Sequence, residues 1–424
     1  MDSTSEIAPG IARDTAPDNI IIIGGGIAGS GLASVLAASG LAVTSLERTT
    51  SFPDRVRGEM YTPWGVKIAE EIGLLQPLLE AGATFTTDWV FYDAAFPAEV
   101  AESLAVDASA IIEGVPGILN FTHPAACQAL HDHAVAAGAT MVRGVVDIDL
   151  DLSGSQPVVR WTLVDGSSHE RSAALVVGAD GRASQVRRAA GIELHSAPIR
   201  QYMSGVLVEG DRQLSTHIDS YGTGDDVNWY SFPQGPNRSR VYLAHFDVHR
   251  YAGPNGTERF LTDLAQAASP DVAGLASGRA VTPVATHASV DTWTDEPFAP
   301  GVVLIGDSAG YNDPIVGQGL SLAMADIRDV SRVIISGGRQ PEDFAAYGVA
   351  RSDRFAKQRI ASQTMADMMC TFGEDAANRR LRALPMLGTD ETVGLLAATL
   401  FAGPEILPTG TDLLATASAM FLSA

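Results

Sequence analysis

After a polar opening, Met1 to Asp18, the chain turns abruptly apolar: NIIIIGGGIAGSGLASVLAASGLAVTSLER, Asn19 to Arg48. Four consecutive isoleucines leave no polar face, so they predict a strand buried on both sides, as in a parallel sheet. The apolar stretch from Ile20 to Val43 is long enough for a membrane span. Its punctuation by Gly24, Gly25, Gly26, Gly29, Gly31 and Gly40 argues against one. It divides instead into strand, turn, helix, turn and strand. Leu32, Val35 and Leu36 recur at helical spacing, and Gly40 stands where a C′ glycine ends a helix. LAVTSL is the second strand, ending at Glu47.

Further along, PVVRWTLVDGSSHERSAALVV reads as strands joined by an Asp165-Gly166 hairpin turn. An apolar strand follows, LVVGADGRASQVRRAAG, ending at Asp180-Gly181. The stretch DVNWYSFPQGPNRSRVYLAHFDVH predicts a hairpin of two alternating strands. Tyr230 and Phe232 share one face; Tyr242, Ala244 and Phe246 share one face of the partner. Late in the chain GVVLI predicts a strand, GDSAGYNDPIVGQG a loop, and Leu320, Ala323, Met324 and Ile327 one face of a helix starting near Gly319. The C-terminal apolar pieces are broken by GPEILPTG and are too short to span a bilayer. Met1 to Asp18 lacks a charged start followed by an apolar core, so it reads as a disordered leader, not a signal peptide.

At 424 residues the chain has room for two or three domains, and its apolar (46%) and charged (18%) fractions are those of a globular protein. A formal charge of −22 argues against nucleic acid and anionic lipid as partners, since both need an electropositive surface. Cys127 and Cys370 have no metal-ligand spacing and read as buried thiols in a reducing cytoplasm.

The first chemistry lies in Gly24, Gly26 and Gly29, which fit G-x-G-x-x-G. The first glycine makes the tight turn, the second lets backbone approach a pyrophosphate, and the third packs helix on strand. The N-terminus of the following helix, at Ile27 and Ala28, then faces the anion. Glu47, with Arg48 beside it, falls about 20 residues on, where a carboxylate accepts from ribose hydroxyls. This predicts a dinucleotide site and leaves NAD and FAD open. The late stretch GDSAG, Gly306 to Gly310, matches the nucleophile elbow G-x-S-x-G. An elbow needs a helix directly after the serine and a histidine later in the chain. Here loop follows, and the last histidine is His287. Ser308 is therefore not read as a nucleophile, and Asp307, at the strand end, is the residue of interest.

Taken together, Gly24–Gly29, Asp180-Gly181 and Gly306-Asp307 with Pro314, Gly317 and Gly319 form three ordered motifs. The chain resembles, over roughly residues 19 to 360, the class A flavoprotein monooxygenases of the para-hydroxybenzoate hydroxylase fold. The resemblance implies an α/β protein: a Rossmann-like FAD-binding domain (19–83, 101–190 and 281–340), an interrupting mixed-sheet substrate domain (84–100 and 191–280), and a C-terminal helical region (341–424). It implies FAD, with NADPH or NADH as co-substrate, and transfer of one oxygen atom from a flavin hydroperoxide to a substrate by hydroxylation or epoxidation. Asp307 would hydrogen-bond the ribityl chain. Pro314, Gly317, Gln318 and Gly319 would lie against the flavin, with Arg57 and Gln128 as outer contacts. The chain departs from the family where Thr122, His123 and Pro124 stand in place of an expected arginine.

An aromatic sheet wall of Tyr230, Phe232, Tyr242 and Phe246 predicts an apolar, aromatic or polyketide-like substrate. Tyr230 and His245 are the catalytic candidates. His245, Asp247 and His249 alternate along one strand, but such a trio is commonly a surface network, and no metal is expected. A flavin-dependent reductase of isoprenoid double bonds shares the scaffold, as does a halogenase. Halogenases carry W-x-W-x-I-P and an active-site lysine; here NWYSFP has Asn228 and Tyr230 at the tryptophans, and Thr86 stands near the lysine. The expected state is a monomer or homodimer in the cytoplasm, without stable membrane insertion.

Overall fold

A computed structural model describes residues 19–54, 56, 58–211 and 213–424. The expected leader, 1–18, lies outside them. The four isoleucines form the strand Ile20–Ile23. It runs parallel between Val43–Glu47 on one side and Leu175–Gly178 on the other. Thr140–Arg143 and Val302–Leu304 extend this sheet in parallel, and Phe298–Ala299 closes one edge antiparallel.

Period-two alternation splits the isoleucines between two cores. Ile20 and Ile22 join Leu32, Leu36, Leu130 and Ile327 under the helices Ile27–Ala38, His123–Ala136 and Gly319–Ile335. Ile21 and Ile23 join Val159 and Trp161 of a small antiparallel sheet on the other face. That sheet, Val145–Asp151, Val158–Leu163 and Ser168–Ser172, contains the expected Asp165-Gly166 turn, with Gly166 at φ +85°. Each isoleucine so buried contributes about 1.5–3 kcal/mol relative to exposure.

The second sheet has eight strands and is mixed. Gln201–Glu209, Arg238–His245, Asn228–Pro233 and Ile218–Thr223 pair antiparallel, and Asp88–Asp93 joins Ile218–Thr223 in parallel. The predicted hairpin is present, with Tyr230 opposite Tyr242. One face of this sheet, with Tyr221, Tyr230, Phe232, Tyr242 and Ala244, packs toward the C-terminal helices. The other, with Trp229, Val241 and Leu243, is covered by the helices Gly256–Leu264 and Pro270–Leu275. The sheet reaches past the predicted substrate segments, because Val106–Asp107 and Ala285–Ser289 add edge pairings that no local pattern announces.

The C-terminal region is helical as expected, led by the 25-residue helix Ala345–Met369. No helix among the described residues is long and apolar enough to cross a membrane. Cys127 and Cys370 are buried, and neither is in a disulfide.

A buried carboxyl ties the second sheet to the short strands beside it. Asp219 is fully buried; it accepts from Thr86 Oγ1 at 2.9 Å and from Asn120 Nδ2 at 2.7 Å. Both partners are neutral, so burial pushes its pKa up to about 7. A folded pKa above the unfolded value of about 4 gives stability that is fully present below pH ~4 and is lost as pH rises through ~7. Asp219→Asn copies the protonated form. Its melting temperature relative to the wild type should therefore rise between pH 5 and pH 8. A pH-independent difference would mean that the Asp219 carboxyl does not change protonation in that window.

Candidate flavin and substrate site

Two adjoining cavities lie beside the C-terminal end of Ile20–Ile23. One is a polar cleft of about 580 Å³; the other is apolar, of about 230 Å³. Gly26, His123, Ala179, Gly181 and Arg182 line both, so the two meet along these residues.

The glycines shape the cleft. Gly24 has φ +106°, and a Cβ there would lie 2.3 Å from the Ala179 carbonyl oxygen. A Cβ on Gly29 would lie 1.8 Å from the Gly24 oxygen, so helix and turn touch through backbone. At Gly26 a Cβ would meet nothing within 4 Å, because that side is open to the cleft. No side chain caps the helix Ile27–Ala38 at this end. An open glycine before an uncapped helix N-terminus fits a pyrophosphate. Glu47 lines the same cleft and is held in place: it accepts from the N–H of Gly25 at 2.7 Å, and from the N–H and hydroxyl of Thr49 at 2.8 and 2.7 Å. Arg48 and Asp180 also line it. The Asp180 carboxylate caps the next helix, accepting from Ser184 Oγ and from the N–H groups of Gln185 and Val186. The residues of this cleft therefore fit the pyrophosphate and ribose of a dinucleotide.

The late loop forms the floor of the apolar cavity. Gly306, Asp307, Pro314, Gly317 and Gly319 line it, as do Ile27 and Ala28. Gly317 has φ +66°, and a Cβ there would strike Met60. Ser308 is the last residue of a 3-10 turn, Gly306–Ser308, and loop rather than helix follows it, so the elbow geometry is absent. The buried Ser308 hydroxyl lies 2.6 Å from Gly178 O and 2.7 Å from Ile305 O, and braces the strand ends.

Opposite the floor stand Tyr230, Phe232 and Tyr242, with Tyr221 and Met203. Four expected site residues lie elsewhere. Phe246 follows the end of its strand, is 56% exposed and packs edge-on against Phe372. His245 falls with Val241 and Leu243 on the far face by the same alternation that puts Tyr242 inside, and it bonds Ser204 Oγ at 2.8 Å. Burial lowers its pKa to about 4. Gln128 donates to Asp132 and accepts from Arg143, and lines neither cavity. Gln318 is buried behind the floor, where it accepts from Trp64 Nε1 and donates to the Val316 and Leu400 carbonyls. Arg57 lies outside the described residues. Among the described residues no cluster of His, Cys, Asp and Glu could hold a metal.

The structure adds residues that sequence reasoning missed. His123 occupies the junction of the two cavities, at the place where an arginine was expected. Arg182 lies there too, its guanidinium 4.6 Å from the centre of the Tyr311 ring. Glu59 forms a polar end to the apolar cavity. It accepts from Arg240 Nε on both oxygens, at 3.0 and 2.9 Å, and from Gln234 Nε2 at 2.5 Å. Burial pushes its carboxyl up to about 7 against the pull of Arg240. The charged run around Glu59 gave no hint of this, since an arginine 181 residues away completes it.

A family model described as FAD binding domain matches residues 18–360. The chain is 26% identical to 3-demethoxyubiquinol 3-hydroxylase of Escherichia coli over 414 residues, 90% of this chain and 95% of that protein. It is 26% identical to 6-methylpretetramide 4-monooxygenase of Streptomyces rimosus, covering 94% and 96%. It is 25% identical to squalene monooxygenase of Rattus norvegicus over 73% of this chain and 53% of that protein, so it spans about half the length of that relative. The solved structure of p-nitrophenol 4-monooxygenase PnpA from Pseudomonas putida shares the fold: TM-score 0.77 at 18% identity, over 91% of this chain and 97% of the other. The chain belongs to this FAD-binding family, that of the class A flavoprotein monooxygenases with the para-hydroxybenzoate hydroxylase fold.

Proposed function

We propose that this chain is an FAD-dependent monooxygenase that consumes NAD(P)H and molecular oxygen and inserts one oxygen atom into an apolar small molecule, by hydroxylation or epoxidation. The observation that carries this reading is the adjacency of the two cavities: the polar cleft borders an apolar chamber with a glycine floor and an aromatic wall. Two of the relatives, a 3-hydroxylase and a 4-monooxygenase, support it.

Bound FAD supplies the redox chemistry that activates oxygen. The chain's own residues do the rest. Gly24, Gly26, Gly29, Ile27, Ala28, Glu47 and Arg48 hold the dinucleotide, with Asp307 on the ribityl side. The helix Gly319–Ile335 starts at the chamber with no acidic residue in its first turn. Its N-terminal partial positive charge favours an anionic ring system there. Tyr230, Phe232 and Tyr242 hold the substrate over Pro314 and Gly317 and exclude water from it.

Two predictions follow from these assignments. Asp307→Ala should weaken FAD retention, measured as flavin per chain after gel filtration, while the pair's other member, Ser308→Ala, should keep its flavin and its activity. Labelling of Ser308 by a serine-directed phosphonate with loss of activity would refute this division of roles. Removing a ring in Tyr230→Ala or Phe232→Ala should cost about 1–3 kcal/mol of substrate binding with FAD still bound. Product formed per NADPH consumed should then fall and hydrogen peroxide rise, because the acceptor is no longer positioned. Wild-type coupling and affinity in both variants would place the substrate elsewhere.

A further inference from the structure

The strand Asn228–Pro233 carries a row of side chains on its inner face: Phe232, Tyr230 and, one step further, Asn228. Phe232 lines the apolar chamber and Tyr230 lines both that chamber and a smaller annex of about 30 Å³; Asn228 lines the annex alone. Met60, Tyr221, Tyr230 and Ile315 line both, so the annex adjoins the chamber across these four side chains. Its outer wall comes from the C-terminal helices, through Met365, Met369, Leu400 and Phe401. Methionine side chains are flexible and polarisable, so this wall adapts to what lies against it.

Thr62 and Gln318 also line the annex, and both have protein partners: Thr62 Oγ1 lies 3.0 Å from Ser321 Oγ, and Gln318 bonds Trp64 and the Val316 and Leu400 carbonyls. Asn228 is 1% exposed. Its Nδ2 donates to the Gly222 carbonyl at 2.7 Å, a partner that can only accept, and this fixes which way the amide is turned. Its Oδ1 is buried and has no hydrogen-bond partner among the described residues. Buried acceptors are nearly always paired, because leaving one unmade forfeits its hydration.

We propose that the annex is a second subsite of the substrate chamber, and that Asn228 Oδ1 receives a hydrogen-bond donor, a hydroxyl or amide N–H, at the far end of an elongated apolar substrate. The spacing along the strand sets the length. Four residues at ~3.3 Å each separate Phe232 from Asn228, so the substrate reaches roughly 13 Å, which corresponds to two or three rings. The inference rests on the chamber being the substrate site proposed above.

The test uses the oxidised, FAD-loaded enzyme without NAD(P)H, so it does not depend on oxygen transfer. Phenol, 4-hydroxybiphenyl and 4,4′-dihydroxybiphenyl are titrated by calorimetry. The dihydroxybiphenyl should bind about three- to tenfold tighter than the monohydroxy compound, and Asn228→Leu should abolish that preference. Asn228→Leu also removes the bond to Gly222, so Met369→Phe serves as an independent arm: by filling the annex it should weaken both biphenyls while leaving phenol unchanged. Equal affinity of the wild type for the two biphenyls, or a preference that survives Asn228→Leu, overturns the proposal and gives the annex to water. If phenol binds and the biphenyls show no preference, only the subsite falls. If none of the three binds, both the subsite and the substrate chamber fall.

Discussion

The position of the loop Gly306–Gly310 depends on one buried arginine. Arg351, from the second turn of the helix Ala345–Met369, is 2% exposed. Its Nε donates to Asp326 Oδ2 at 3.0 Å, and its Nη1 to the Ala309 carbonyl at 3.0 Å; Nη2 reaches the carbonyls of Gly306 and Gly310 at 3.2 and 3.4 Å. The same Asp326 oxygen accepts the N–H of Gly306 at 2.8 Å. A single 3-10 turn leaves its backbone groups without regular partners, and a buried loop must satisfy them somehow. Arg351 and Asp326 do this for Gly306–Gly310 from two different helices. A buried ion pair adds little net stability once its desolvation is counted. Here it supplies position: Asp307 faces the chamber because the residues on either side of it are held from behind.

The same constraint explains why the C-terminal region belongs to the site although it contributes no dinucleotide motif. Its long helix holds the loop through Arg351, and Arg354 bonds Asp329 and Glu405. Three to four turns beyond Arg354, Met365 and Met369 of the same helix form the wall of the annex. One element thus fixes the floor of the chamber and closes its far end.

What could be read in the sequence follows from where each constraint is local. The strand Ile20–Ile23, the glycine turn and the helix after it are specified by adjacent residues, and the structure has them where the pattern placed them. Alternation in Arg238–His245 correctly put Tyr242 inward, and the same alternation should have excluded His245; the strand then stops before Phe246 can follow Tyr242. Arg351, Arg354 and Lys357 lie three apart on a helix, a spacing common on solvated faces, yet all three are buried. Their partners lie on other elements, and no local pattern encodes them. Glu59 with Arg240, and Asp219 with Thr86 and Asn120, were hidden for the same reason.

The two sheets also explain why the chamber lies where it does. Ile20–Ile23 has its sequence neighbour Val43–Glu47 on one side and the much later Leu175–Gly178 on the other. Chains leaving the strand ends there diverge, and a crevice opens at this switch point. Gly24 donates to Leu46 O on one side, and Ala179 donates to Ile23 O on the other, so the glycine turn sits at the base of the crevice. A first sheet alone would leave the ring end of a dinucleotide facing solvent. The second sheet supplies the missing wall. Because its strands alternate, one layer of aromatics faces the cofactor loop while the next layer packs into a separate core beneath the helices Gly256–Leu264 and Pro270–Leu275. Side chains in the wall can therefore vary to suit a substrate without disturbing either the glycine cradle or the core behind them.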